Sequence, residues 1–264
     1  MENTSTLNLD LENEILTITV NRPEKLNALS ETVLTELKIV LTKSLEMPLS
    51  ELRGILLTGA GDKAFIAGAD IKAMLTMTAQ DSLAFGQLGQ DVTLLFEQLA
   101  VPVIACVNGF ALGGGLEMAM SCDFMYCTLN AIFGQPEVKI GLIPGFGGTQ
   151  RLSRYVGMAK CREMVYSGKS IEVTEALAIG LVNQSFETKE EMMKAAVKTI
   201  SGIKRNSPLA VGSCKKLIND GECLAILDGL ALEKNEFKAV FETQDAKEGL
   251  KSFLEKRHPN YKGH

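Results

Sequence analysis

Apolar and polar residues switch between two periods along this chain. Over residues 15–20, isoleucine, leucine and valine stand against Thr17 and Thr19 in alternation, which predicts a strand with two unlike faces. Arg22-Pro23 ends it. Ser30 is a candidate N-cap for a helix that gathers Val33, Leu34, Leu37, Val40 and Leu41 on one side. Residues 54–58 read as a short buried strand, and the glycines and Asp62 after it as a turn. A helix over 81–99 and a strand over 102–107 come next. Asn108-Gly109 opens a loop, and Gly113-Gly114-Gly115 leads into a helix over 116–120. Residues 124–127 and 132–133 are again strand-like, so strands and helices alternate and predict an α/β class. Beyond Gly147 the pattern predicts helices only, over 149–156, 160–167, 174–179, 190–203, 209–219, 224–242 and 246–256. Lys204-Arg205-Asn206-Ser207-Pro208 supplies stop residues. The expected division is an α/β core over 1–203 and a helical C-terminal module over 204–264.

Composition narrows the chemistry. The chain has 264 residues, 46% apolar and 22% charged, which suits a packed globular protein. Its net charge of −5 argues against a nucleic-acid partner, because binding a phosphate backbone needs a basic face, and leaves room for a small anionic ligand held by a few lysines. No pair among the six cysteines has CxxC spacing, and the two histidines, His258 and His264, lie in the tail, so no metal site is expected. The same placement speaks against nucleophile–histidine catalysis and leaves acid–base work to carboxylates, cysteines, lysines or tyrosines. The longest apolar stretch, 101–116, is too short to span a membrane and is broken by Asn108 and glycines. With no basic residue before Arg22 to mark a targeting peptide, and free thiols expected, a cytoplasmic location is the simplest reading.

Three segments could carry chemistry. The first runs Ala64-Phe65-Ile66-Ala67-Gly68-Ala69-Asp70-Ile71-Lys72, where small side chains let a ligand reach backbone N–H groups. The second is Gly113-Gly114-Gly115-Leu116-Glu117-Met118, three glycines at a helix entrance with a glutamate in the first turn. Bare amides there favour an anion, including one that develops only during a reaction. The third joins Phe133-Gly134-Gln135-Pro136-Glu137 to Gly145-Phe146-Gly147-Gly148-Thr149, and sets Glu137 among apolar neighbours that raise a carboxyl pKa. Taken singly, each has a plainer explanation: a tight turn, a helix-start glutamate, a solvated loop. Gly145-x-Gly147 lacks the third glycine of a dinucleotide fingerprint.

In this order, with their flanks, the segments resemble the enoyl-CoA hydratase/isomerase (crotonase) family. The resemblance also covers Asn21-Arg22-Pro23-Glu24-Lys25-Leu26-Asn27-Ala28-Leu29, 107–123, 133–151 and the ending Glu248-Gly249-Leu250-Lys251-Ser252-Phe253-Leu254-Glu255-Lys256-Arg257. It implies a spiral of repeated ββα units and a C-terminal helical module that joins subunits into a homo-trimer or homo-hexamer. It implies hydration of trans-2-enoyl-CoA to 3-hydroxyacyl-CoA, a step of fatty-acid β-oxidation and related acyl-CoA metabolism, with coenzyme A part of the substrate and no separate cofactor. Glu117 would activate water and Glu137 would protonate carbon, with Ala69 and Gly114 as the oxyanion-hole amides and Gly145 helping to hold the water. Lys25, Ala28, Ala67, Asp70, Ile71 and Lys72 would line the coenzyme A path, completed by Phe253 and Lys256 of a neighbouring subunit. Ile66 and Leu116 stand where smaller residues or cysteine are often found, which bears on acyl-chain length.

The family also holds isomerases, thioester hydrolases, dehalogenases and C–C bond enzymes, and the fold cannot choose among them. Two glutamates favour hydration, with double-bond isomerisation the alternative. A non-enzymatic RNA-binding relative is disfavoured by the acidic pI and by the presence of both glutamates.

Overall fold

A computed structural model describes residues 2–264. A six-stranded sheet has the order β1-β2-β3-β5-β7-β10, built from Leu7–Glu12, Ile15–Val20, Gly54–Gly59, Val103–Val107, Phe124–Thr128 and Gln184–Phe186. Only β1 and β2 pair antiparallel in it. A second, four-stranded sheet runs β4-β6-β8-β9, from Ala64–Ile66, Phe110–Leu112, Ile132–Gly134 and Ser170–Glu172, with β9 alone antiparallel. The helices are α1 (Glu31–Glu46), α2 (Ile71–Met74), α3 (Ala79–Gln98), α4 (Gly114–Met120), α5 (Gly148–Ser167), α6 (Val173–Ala178), α7 (Lys189–Ile203), α8 (Pro208–Gly221), α9 (Ile226–Phe241) and α10 (Gln244–Leu254).

The chain repeats one move three times. A long strand joins the large sheet, a three-residue strand joins the small one, and a helix follows: β3-β4-α2/α3, β5-β6-α4, β7-β8-α5. Because side chains alternate across a pleat, each large-sheet strand feeds two cores. Ile55, Leu57, Val103, Ala105, Met125 and Cys127 face the main core with α1, α3 and α4. Leu56, Ile104, Cys106 and Tyr126 face the other way, onto Met192, Ala196 and Ile200 of α7. The predicted α1 face is fully realised, with Val33, Leu34, Leu37, Val40 and Leu41 buried and Ser30 Oγ accepting from Val33 N.

The structure departs from the sequence pattern at short elements. Strand β6 occupies what reads as the loop after Asn108, and β9 and β10 interrupt the region expected to be helical throughout. Three-residue strands offer no period to detect; their neighbours in the sheet define them. The helices expected over 149–156 and 160–167 are both present within α5, divided at Gly157, whose φ of 77° and ψ of 159° no helix accommodates. Strand β1, absent from the elements expected above although Leu7, Leu9 and Leu11 alternate with polar residues, lies at the sheet edge with most of its side chains partly or fully exposed.

Candidate active site

Strands β4, β6 and β8 are parallel neighbours, so their carboxyl ends lie side by side. The chain leaves β4 into Ala67–Asp70, β6 into Gly113–Gly114 and β8 into Gln135–Glu137. The three candidate segments, scattered over some 80 residues, thus meet at one edge of the small sheet. Open α/β sheets bind ligands at strand carboxyl ends for the same reason: the backbone there turns away from pairing.

Two amides at this edge are uncommitted. Leu29 N donates to Gly68 O and Asp70 N to Leu29 O, both at 2.8 Å, as a single parallel bridge around Ala69. Strand alternation turns the Ala69 N–H to the opposite side, where it has no acceptor among the described residues. Gly114 opens α4, so its N–H has no intrahelical partner. Leu29 neighbours both: it pairs with Ala69, and its Cδ1 lies 3.1 Å from where a Gly114 Cβ would stand. Gly115 must lack a side chain, since a Cβ there would overlap the Ile66 carbonyl oxygen.

Glu117 is 1% exposed, and its Oε1 accepts from Phe146 N at 2.8 Å and Gly148 N at 2.6 Å. Burial pushes its pKa up; the Gly148, Phe146 and Gly145 amides and the Arg151 guanidinium oppose that push. Glu137 begins a 3-10 turn, Glu137–Ile140, that Gly141 closes in the left-handed region. Its carboxyl is pushed up to about 7, first by burial and further by the charge of Glu117. A Cβ on Gly113 would stand 2.6 Å from Glu137 Oε1, so the glycine run gives this carboxyl its room. Gln135 is completely buried between the two acids. With its amide nitrogen turned to Glu137 it donates to both oxygens, at 3.0 and 3.1 Å. A Cβ on Gly148 would approach the Gln135 amide to 2.8 Å and Glu117 Oε1 to 3.0 Å.

The remaining predicted residues divide. Gly145 adjoins the site, its carbonyl held by Gln90 Nε2 at 3.0 Å. Asp70 lies at the start of α2 and takes Arg22 at 3.1 Å and Lys25 at 3.5 Å; the hydrogen bond from Arg22 holds its carboxyl below the usual range. Ala28 and Ala67 belong to the same mesh, Ala28 O accepting from Arg22 Nη1 at 2.6 Å and Ala67 N donating to Leu26 O at 3.1 Å. Ile71 and Lys72 begin α2 at the surface. Phe253 and Lys256 are exposed on and after α10, which packs on α9 and holds the tail through Asp245. Ile66 and Leu116 are both fully buried.

Sequence reasoning gave no role to Gln135, Arg22 or Arg151. Arg151 bridges Glu97 at 2.6 Å to the Phe146 carbonyl at 2.9 Å. The available signal was location, since all three lie in or beside the segments that carry the resemblance. Asn27 and Asn108, both buried, bond the backbone of the 59–64 turn and hold the segments before β4 and β6 together.

Fold and site define a class: an α/β protein with one buried and one half-buried carboxyl beside free main-chain donors. The profile of one family, enoyl-CoA hydratase/isomerase, matches residues 10–264. A short-chain-enoyl-CoA hydratase of Clostridium acetobutylicum is 46% identical over 94% of each chain. A crotonyl-CoA hydratase of Syntrophomonas wolfei is 44% identical over 96% of each. The crystal structure of an enoyl-CoA hydratase from Bacillus anthracis superposes with a TM-score of 0.94 at 37% identity, covering 98% of this chain and 100% of that one. This chain belongs to the enoyl-CoA hydratase/isomerase family.

Proposed function

We propose that the protein hydrates trans-2-enoyl-CoA thioesters, with Glu117 and Glu137 as the acid–base pair. Enoyl-CoA hydration is the activity named for relatives that match this chain at 44 and 46% identity along nearly its whole length. The observation that carries the residue assignment is the meeting of the two carboxyls around Gln135, beside the free amides of Ala69 and Gly114.

The chemistry follows from these environments. The thioester carbonyl accepts from Ala69 N and Gly114 N, which favour the negative charge that grows on its oxygen. Glu117, its Oε1 fixed by two backbone amides, takes a proton from water as the water oxygen bonds to carbon 3. The alkene electrons move toward the thioester, and Glu137 delivers its proton to carbon 2. A carboxyl raised to about 7 still carries that proton near neutral pH. Net addition of water leaves the two carboxyls with exchanged protonation, reset through solvent.

Lys25, Ala28, Ala67, Asp70, Ile71 and Lys72 form the surface along which the coenzyme A portion would run, Lys72 being exposed and Lys25 half-exposed beside Asp70. Assembly into a trimer or hexamer is supported by the apolar residues that α9 and α10 expose, including Ile226, Leu227, Phe237 and Phe253. No helix among the described residues is long and apolar enough to cross a membrane.

The test is loss of enoyl-thioester absorbance, with crotonyl-CoA and a ladder of longer acyl chains. Glu117→Gln and Glu137→Gln should each lower kcat by at least about 10²-fold, the scale of one positioned proton-transfer group. Near wild-type turnover in either variant removes that residue from the mechanism.

A further inference from the structure

We infer that Gly89, on α3, is a positioning residue for this reaction: its missing side chain seats the Phe146 ring, and that seat sets the amides that hold Glu117. The inference rests on the assignment of Glu117 as the water-activating carboxylate.

Phe85, Gly89, Thr93 and Glu97 recur every fourth residue and share one face of α3. That face holds the 145–151 segment at each step. The Phe85 and Phe146 rings meet edge to face with centroids 5.4 Å apart. Thr93 Oγ1, which donates to Gln90 O at 2.8 Å, lies 3.4 Å from the Phe146 carbonyl, and Glu97 fixes Arg151, which donates to that carbonyl. Between them, a Cβ on Gly89 would lie no more than 2.5 Å from ring atoms Cγ, Cδ1 and Cε1 of Phe146. The other edge of the ring faces α4, where a Cβ on Gly114 would stand 3.0 Å from Cε2. Phe146 is 4% exposed, so no solvent space receives it. A methyl at position 89 therefore displaces the segment itself. Phe146 N and Gly148 N, the two donors to Glu117 Oε1, move with it.

Gly86, one turn earlier on α3, is the internal control: no atom lies within 4 Å of its Cβ position. Helix propensity disfavours both glycines equally, so a difference between them reports the ring contact alone.

The experiment uses the full chain with crotonyl-CoA and reads kcat, KM and the pH profile of kcat for Gly86→Ala, Gly89→Ala, Phe146→Ala and Gly89→Ala/Phe146→Ala. Gly89→Ala should lower kcat at least about tenfold, well within what a displacement of about 1 Å can cost, with KM changed less than about twofold. Weakened amide donation disfavours the Glu117 carboxylate, so the acid limb of the profile should move to higher pH. Adding Gly89→Ala to Phe146→Ala should cost less than about threefold, because the clash is gone. Gly86→Ala should match wild type. Equal losses in Gly86→Ala and Gly89→Ala, or an unmoved kcat and acid limb in Gly89→Ala, overturn the inference. Should Gly89→Ala not fold, Phe146→Ala decides: it keeps the N–H but frees the segment, and unchanged kcat there overturns the inference too. Glu117→Gln is measured alongside. If it turns over normally, the assignment of Glu117 fails; if it is inactive while Gly89→Ala is normal, only the positioning role fails.

Discussion

Glu117 and Glu137 are the same side chain in two kinds of surroundings. Glu117 is wholly buried on α4, yet two backbone amides point at one of its oxygens and Arg151 stands behind them. Glu137 is less buried, on a 3-10 turn, and its donor is the side-chain amide of Gln135. Depth alone would make Glu117 the better proton carrier. Fixed amides oppose that push on Glu117, because they stabilise charge and cannot rotate away, while burial stays the largest cause for both carboxyls. The charge on Glu117 then helps Glu137 stay neutral. The contrast lies in the kind of donor and not in the number: fixed backbone amides serve Glu117, a rotatable side-chain amide serves Glu137.

The largest expected effect lies in the pH profiles of the two glutamine variants, beyond their common loss of rate. Glu137 must carry its proton to act, so wild-type kcat is present below its pKa and is lost as pH rises through about 7. Glu137→Gln should abolish that alkaline limb along with about 10²-fold of rate. Glu117→Gln removes the neighbouring charge, so the Glu137 carboxyl, followed by carbon-13 NMR, should titrate lower than in wild type. It should still lie above an ordinary glutamate, since burial is the larger cause. An unchanged Glu137 titration in Glu117→Gln would falsify the coupling.

A smaller effect is expected from Gln135→Leu. Losing an amide that favours the Glu137 anion should raise its pKa and move the alkaline limb upward, with a fall in kcat of about tenfold from lost orientation. A limb that moves downward would mean that Gln135 serves Glu117 instead. Smallest is Gly86→Ala, remote from both acids and facing open space, which should stabilise α3 by about 1 kcal/mol in a denaturant titration and leave turnover alone.

How much could be read in advance depended on the physical origin of each feature. Strands β2, β3 and β5, and α1 with its Ser30 cap, were legible because period and capping are local. The three candidate segments were legible as glycine-rich breaks with a glutamate in two of them. Gln135 was not, because a buried amide between two acids looks like any loop glutamine until both acids surround it. Gly89 was not, because a mid-helix glycine shows no partner in sequence, and Phe146 lies 57 positions away, the difference between the two residue numbers. Nor did pattern separate α9, where no residue is buried within the single chain, from helices whose faces the core covers.

The sequence by itself determined which residues were available for acid–base chemistry, where the backbone could be bare, and the alternation of elements that yields two sheets. All of these depend on side-chain type and on contacts within a few residues. Only the tertiary structure decided that strands β4, β6 and β8 lie side by side, that Ala69 and Gly114 keep unused amides, and which glutamate meets the fixed donors. Those facts depend on pairings across tens of residues, and a carboxyl's proton affinity is set by whatever those pairings bring to within about 3 Å of it.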